Sequence, residues 1–271
     1  MKRAALILCA ACASALHAPP PIESIAAAPR GSASELLSEA DAAWARRADP
    51  GEAARAEELY LQAARAEPQR AEAFAGAIRA KAFRLGRSKD SGERLRLAQE
   101  AVGIGQLCEQ NAAANPLCDY WLAAALGLQA RERSATAKDA LPRMTDLLRR
   151  AARADATIDH GGPHRLLATV LLRAPSWPLG PGDPEAALPE AQAAVRIDPD
   201  FPPNLLTLGE ALKANDHPAE ARRAYSKALR FAAEAAARGD PDASGWADDA
   251  RAALRESAAR IPVTSATVTT A

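Results

Sequence analysis

The sequence predicts an all-α fold, a superhelical array of about five helix-turn-helix pairs ending in a C-terminal capping helix. Three observations carry that reading. Apolar residues make up 48% of the chain but aromatics only 4%; alanine dominates, which suits closely packed helices and disfavours a β-sandwich. Apolar positions recur at helical spacing from Ser34 to Ile261, and no strand-period segment longer than the C-terminal tail competes. Leu205–Leu229, LLTLGEALKANDHPAEARRAYSKAL, reads as two helices around a turn, with small residues where the helices must cross.

In that unit Gly209 and Ala221 allow close approach, Tyr225 fills the gap at the crossing, and Ala228 makes room for a neighbour. This is the tetratricopeptide (TPR) pattern. One such unit cannot bury its own apolar face, so it implies further repeats, each of about 34 residues.

The other elements follow in order. From Ser34, Leu37, Ala40 and Trp44 line one face until Asp49-Pro50-Gly51 breaks the helix. Glu52–Glu67 carries Ala56, Tyr60 and Ala63 at the positions of a second TPR helix, and Pro68 stops it. Ala71–Leu85 holds Phe74, Ile78 and Phe83, and Gly86–Gly92 is a loop. A long helix from Glu93 to Ala113 keeps Leu97, Val102, Ile104 and Leu107 on one side. Asn115-Pro116 restarts the chain, and Tyr120–Gln129 again places Leu-Gly, Leu126-Gly127, at a crossing. Ala140–Ala154 is its partner. A helix over Pro163–Ala174 follows two glycines, proline being well tolerated in a first helical turn. Pro175–Pro184 is too rich in proline and glycine for regular structure. Glu185–Ile197 leads into the unit described first, and Ala243–Ile261, with Trp246, Ala250, Leu254 and Ala258, is the cap.

The ends read differently. Met1-Lys2-Arg3 followed by the apolar run Ala4–Leu16 has the layout of a secretion signal and is too short to span a bilayer. Cleavage after Ala15 or Ala18 releases the chain; lipidation at Cys12 is the alternative. The expected division is therefore a signal over 1–18, a flexible tether over 19–33, the helical domain over 34–261 and a frayed tail over 262–271. The mature protein is expected outside the cytoplasm, in the periplasm. Two cysteines then remain, Cys108 and Cys118, on either side of the Asn115-Pro116 turn. In an exported protein a disulfide is one reading; two buried thiols on adjacent helices is the other.

Charge excludes one class of partner. The chain has 34 basic and 34 acidic residues and a formal net charge of zero. No segment has the one-sided basic run that grips phosphates, so nucleic acid is not expected. Catalytic signatures are also missing: there is no H-E-x-x-H and no G-x-S-x-G elbow. The chain is read as a non-enzyme without a cofactor or a metal.

Candidate binding residues lie where the repeat pattern breaks. His160 and His164 have the i, i+4 spacing of helical metal ligands, but Gly161-Gly162-Pro163 stands between them and no third ligand is evident. Gly161, Gly162 and Arg165 can form a small anion site at a helix start; equally, the glycines can make a turn while Arg165 pairs with an acidic neighbour. Trp177 in its proline-rich loop, and Tyr120 and Trp121 at a helix start, either fill the core or line a pocket.

Four segments in order, AAWARRADPGEAARAEELYLQAARAEP (42–68), CDYWLAAALG (118–127), DHGGPHRLLATVLLRAP (159–175) and PDFPPNLLTLGEAL (199–212), resemble the TatT-like extracytoplasmic TPR proteins associated with TRAP transporters. The resemblance covers about 34–235, and its most specific piece is the Gly-Gly-Pro-His-Arg turn into a helix followed by the Ala-Pro-x-x-Pro-x-Gly loop. It implies a periplasmic protein that partners a solute-binding subunit, assembles as a homo-oligomer (a trimer) and encloses a channel for a small, partly apolar ligand. By position in the matching segments, Gly161–Arg165, Tyr120, Trp121 and Trp177 would line that channel. The segment around Cys12 departs from the usual lipid-anchor pattern. A cell-envelope scaffold binding peptides or proteins unrelated to transport is the alternative.

Overall fold

The computed structural model describes residues 19–259. The expected signal segment, Cys12 and the expected tail lie outside the described residues. The elements are α1 (Ile22–Ile25), α2 (Ala33–Ala45), α3 (Glu52–Ala66), α4 (Ala71–Arg87), α5 (Ser91–Asn111), α6 (Pro116–Glu132), a 3₁₀ turn (Ser134–Thr136), α7 (Ala137–Ala154), α8 (Ile158–Arg173), α9 (Pro184–Ile197), α10 (Pro202–Ala214), α11 (Pro218–Ala237) and α12 (Ala243–Ala259). The last of these is the cap. Among the described residues the helices stack in sequence as five pairs, α2/α3, α4/α5, α6/α7, α8/α9 and α10/α11, each packing on the next.

Local sequence sets the helix starts. Ser32 and Glu35 form a reciprocal capping box at α2. Asp90 caps α5 through the Glu93 amide (2.9 Å), and Asn115 caps α6 through the Leu117 amide (2.9 Å), with Pro116 in the first turn. Asp183 does the same for α9 through Ala186 (3.0 Å), ahead of Pro184. Prolines also open α10 and α11.

Close crossings fix the pairing. Tyr225 of α11 lies flat against Gly209 of α10, where any Cβ would overlap its ring. Gly76 of α4 receives Tyr60 of α3 in the same way, with a Cβ only 2.5 Å from the ring. Gly105 of α5 lets Leu122 of α6 approach, and a Cβ there would stand 3.0 Å from the Leu122 backbone. Gly127 meets only the tip of Met144 (3.1 Å). Around these crossings one core runs from Ala26 to Ala187, including Phe74, Ile78, Ile104, Leu122, Leu126, Leu147 and Leu148. Burying each such large side chain contributes roughly 1.5–3 kcal/mol. Smaller clusters follow around Leu212 and Tyr225, and around Leu205, Ala228 and Ala250.

Two polar devices cross-brace the array. Lys81 of α4 is buried between Glu57 of α3 and Glu100 of α5, at 2.6 Å from each, and Arg84 holds the second Glu57 oxygen at 2.5 Å. Burial pushes the Glu100 carboxyl up, but Lys81 and Arg96 outweigh it and hold its pKa below the usual value. Cys108 at the end of α5 and Cys118 at the start of α6 form a disulfide, with Cα atoms 5.4 Å apart.

One expectation needs correction. Residues 19–33 are not wholly a free tether. Ala26 is buried and its carbonyl accepts from Arg65 (2.8 Å), while Ile22 and Ile25 of α1 pack on the core. Three apolar residues there are enough to dock on α3, which Pro and Ser content alone conceals. The right-handed run of α8 starts at Gly162–Pro163, where the sequence places it; the residues before it, Asp159–Gly161, form a left-handed turn.

Candidate functional site

The break in the repeat pattern is a structural knot at the start of α8. Asp159 (φ 50°, ψ 49°), His160 (φ 60°, ψ 38°) and Gly161 (φ 84°, ψ 22°) are all left-handed. For residues bearing a Cβ that conformation costs roughly 1–2 kcal/mol each, so neighbouring groups must hold it. Arg165, one turn on, does much of this. Its Nη1 donates to the Asp159 carbonyl (3.0 Å) and to Asn204 Oδ1 (2.9 Å), and its Nη2 donates to Asp159 Oδ2 (2.5 Å). The Tyr120 hydroxyl donates to the same Asp159 carboxylate. Asn204 of α10, fully buried, donates through Nδ2 to the carbonyls of His160 (2.8 Å), Ala194 (3.0 Å) and Asp198 (3.0 Å).

The two glycines serve this packing. A Cβ on Gly162 would stand 2.6 Å from the Tyr120 hydroxyl, and one on Gly161 would stand 3.1 Å from the Ala194 carbonyl. Burial, and then the Asp159 charge, push the Tyr120 phenol well above its ordinary pKa, so it stays a proton donor. Arg165 is thus charge-paired with Asp159, and its guanidinium lies over the Phe201 ring at 5.1 Å. Arg165 therefore sits where the turn-and-ion-pair reading puts it.

The histidines diverge. His160 is exposed, stacks on Phe201 (4.3 Å between centroids) and meets Asp198 through Nδ1 at 2.7 Å. His164 points to α9 and meets Glu190 at 2.6 Å. Each has a different carboxylate, and among the described residues no three His, Cys, Asp or Glu side chains converge on a metal position. Trp121 is half-buried, edge-on to Tyr120 at 5.1 Å and packed on the core.

Trp177 stands apart from all of these. It is 87% exposed, and Leu179 beside it is 79% exposed. It neither fills the core nor lines a pocket with Tyr120. The reason is the loop's backbone, which folds on itself. Gly182 N–H donates to the Pro175 carbonyl (2.9 Å), Asp183 N–H to the Leu171 carbonyl (2.8 Å), and Leu179 N–H to the Ser176 carbonyl (3.0 Å). A Cβ on Gly180 would stand 2.6 Å from the Pro175 carbonyl, and one on Gly182 would stand still closer, 2.2 Å, to the Ala174 carbonyl. With its inner side filled by backbone, the loop turns Trp177 and Leu179 outward. Two open surface depressions, one at Ala219–Lys227 of α11 and one between Arg47 and Glu93, include none of the candidate binding residues.

Sequence reasoning did not single out Asn204, Phe201 or Asp198 for this site, and it placed Trp246 only in the cap. Phe201 bridges His160 to Trp246, the second ring edge-on at 5.5 Å. The partner of Asp198, His160, lies 38 residues away in sequence, and those of Phe201 and Asn204 lie in other repeats, so no local pattern marks them. Asp159 had a signal: an acidic residue and Arg165 straddling two glycines.

No protein-family model matches the chain, and no curated protein sequence is significantly similar to it. Solved structures are similar. TTC0263, a thermophilic TPR protein of Thermus thermophilus, superposes with a TM-score of 0.59 at 20% identity, over 83% of this chain and 100% of that one. MamA protein superposes with a TM-score of 0.46 at 16% identity, over 75% and 93%. The first likeness, with the five helix pairs, gives the chain a TPR fold.

Proposed function

We propose that this chain is a non-enzymatic, extracytoplasmic TPR scaffold whose partner is a protein, the solute-binding subunit of a TRAP-type transporter. The observation that carries the scaffold reading is the outward pair Trp177 and Leu179 on a backbone-braced loop. A loop whose backbone is already braced has little main-chain freedom to lose on docking, and tryptophan is enriched among the residues that dominate interfaces. The Cys108–Cys118 disulfide supports an oxidising compartment. The transporter partner rests on the family resemblance of the segments around 42–68, 118–127, 159–175 and 199–212. On this reading Gly161, Gly162 and Arg165 shape the scaffold, and the Trp177 loop makes contact.

Affinity capture from a periplasmic extract tests the proposal. The wild-type chain should recover a solute-binding protein, and the Trp177→Ala/Leu179→Ser variant should recover at least tenfold less while melting at the same temperature. Recovery of only cell-wall or assembly-machinery proteins would sink the transport reading in favour of a general envelope scaffold. Equal recovery by the variant would remove the loop from the interface.

A further inference from the structure

The two ends of the array touch. Arg47, just after α2, donates through Nη2 to Asp240 (3.1 Å) and Asp242 (3.2 Å) in the turn between α11 and α12. Arg87, the last residue of α4, donates to the Pro241 carbonyl (3.0 Å) and to Asp242 (3.2 Å). These partners are more than 150 residues apart in sequence. Residues 46–51 and 88–90 are turns inside helix pairs, on one edge of the array; residues 238–242 form a turn between a pair and the cap, on the other edge. Opposite edges of a solenoid meet only when the accumulated rotation of its repeats brings the last unit round beneath the first.

Aromatic rings hold both arginines ready for that contact. Arg47 lies over Trp44 at 4.8 Å, and Arg87 over Phe83 at 3.4 Å, with Trp44 and Phe83 edge-on to each other at 5.5 Å. Arg79 covers Trp44 at 4.5 Å. On the other side, Asp240 Oδ1 accepts from the Asp242 amide (2.9 Å), which fixes the acidic turn. The contact is made through side chains that are only partly buried, with Asp240 and Asp242 about a third exposed. Pairs of this kind contribute little each and are screened by salt.

We infer that this seam is a latch: Arg47 and Arg87 on Asp240 and Asp242 close the superhelix into one turn, and loss of these pairs opens it. A contact this weak, set against the continuous packing of every other neighbour in the array, is the place where the molecule parts. Opening swings the turn at residues 240–242 and the helices it joins away from Arg47 and Arg87. That a partner protein then gains the inner surface rests on the scaffold reading above; the latch rests on the four side chains of the seam alone, so the two can fail separately.

Distance measurement between spin labels tests it. Labels at Ala54→Cys and Ser244→Cys, in a full chain carrying Cys9→Ser and Cys12→Ser, report on the seam by pulsed electron resonance. At low salt one short, narrow distance is expected. In 1 M salt, where the screening length falls to about 3 Å, and in the Arg47→Gln/Arg87→Gln variant, the distribution should broaden and lengthen. Reversing all four charges (Arg47→Asp, Arg87→Asp, Asp240→Arg, Asp242→Arg) should restore the short distance. A long distance in the unmodified seam at low salt would overturn the inference. So would a distance indifferent both to salt and to removal of the two arginines, or a four-charge reversal that stays open while remaining helical.

Discussion

Tyrosine is the residue on which this array leans most visibly. The chain has three, Tyr60, Tyr120 and Tyr225, and each is almost fully buried at a helix crossing or at the α8 turn. Burial is the leading cause that pushes Tyr60 and Tyr225 up to about 12, and Tyr120 well above its ordinary value. In the unfolded chain all three ionise near pH 10. A raised pKa in the folded state means the stabilisation is complete below pH 10 and is lost as pH rises through about 12. Phenolate absorbance should therefore stay flat through about pH 10–11 and rise together with loss of helical circular dichroism; an early, independent rise would contradict it. The Asp159–Arg165 pair makes a second case. Arg165→Met removes the donor that satisfies a carboxylate held in a left-handed turn, and should cost about 1–3 kcal/mol, read as a lower urea midpoint. Arg165→Lys should recover only part, because a single ammonium cannot span Asp159 and Asn204 together.

At the scale of elements, regular helices are legible in the sequence, and what holds the irregular join at Asp159–Gly161 is not. Apolar spacing locates α3, α4 and α9 to within about two residues, because in each the buried stripe and the residues that break it lie in one continuous segment. The right-handed start of α8 after Gly161 follows its own pattern, but what holds the left-handed turn before it is distant: Tyr120 from α6 and Asn204 from α10. The same limit explains the candidate site. The residue types at 160–165 stand out as unusual in the sequence, yet their neighbours make them a structural knot, while Trp177 turns outward for reasons written in loop hydrogen bonds. The α5–α6 join carries its own prediction. The Cys108–Cys118 bridge closes a short loop between helices that already pack closely. Reduction should lower stability by about 2–3 kcal/mol while leaving helical content intact, since the interface beside the bridge is also packed through buried Leu107 and Leu122. Thermal melts with and without a phosphine reductant check this, with a Cys108→Ala/Cys118→Ala variant expected to match the reduced protein.

Across the whole molecule the core is lopsided. Bulky side chains with under 2% exposure, among them Phe74, Ile78, Leu97, Ile104, Leu122 and Leu148, lie in α3–α7; beyond them only Tyr225 and Asn204 reach that size and burial among the described residues. The interior of α9–α12 is largely alanine: Ala187, Ala191, Ala194, Ala211, Ala228, Ala232 and Ala250. A buried alanine removes far less apolar surface from water than a leucine, and the free energy follows the area. In a solenoid each repeat is stabilised only by its neighbours, so a weak stretch can open without the rest. The C-terminal helices should therefore unfold first. Native-state hydrogen exchange in increasing urea should show amides of α10–α12 exchanging through a smaller opening free energy than those of α3–α6. The gap should narrow when the Arg47 and Arg87 seam is intact and widen in the Arg47→Gln/Arg87→Gln variant, because the seam ties the alanine-built end to the leucine-built one. If both ends exchange with a single urea dependence, the array is one cooperative unit and the uneven packing has no thermodynamic consequence.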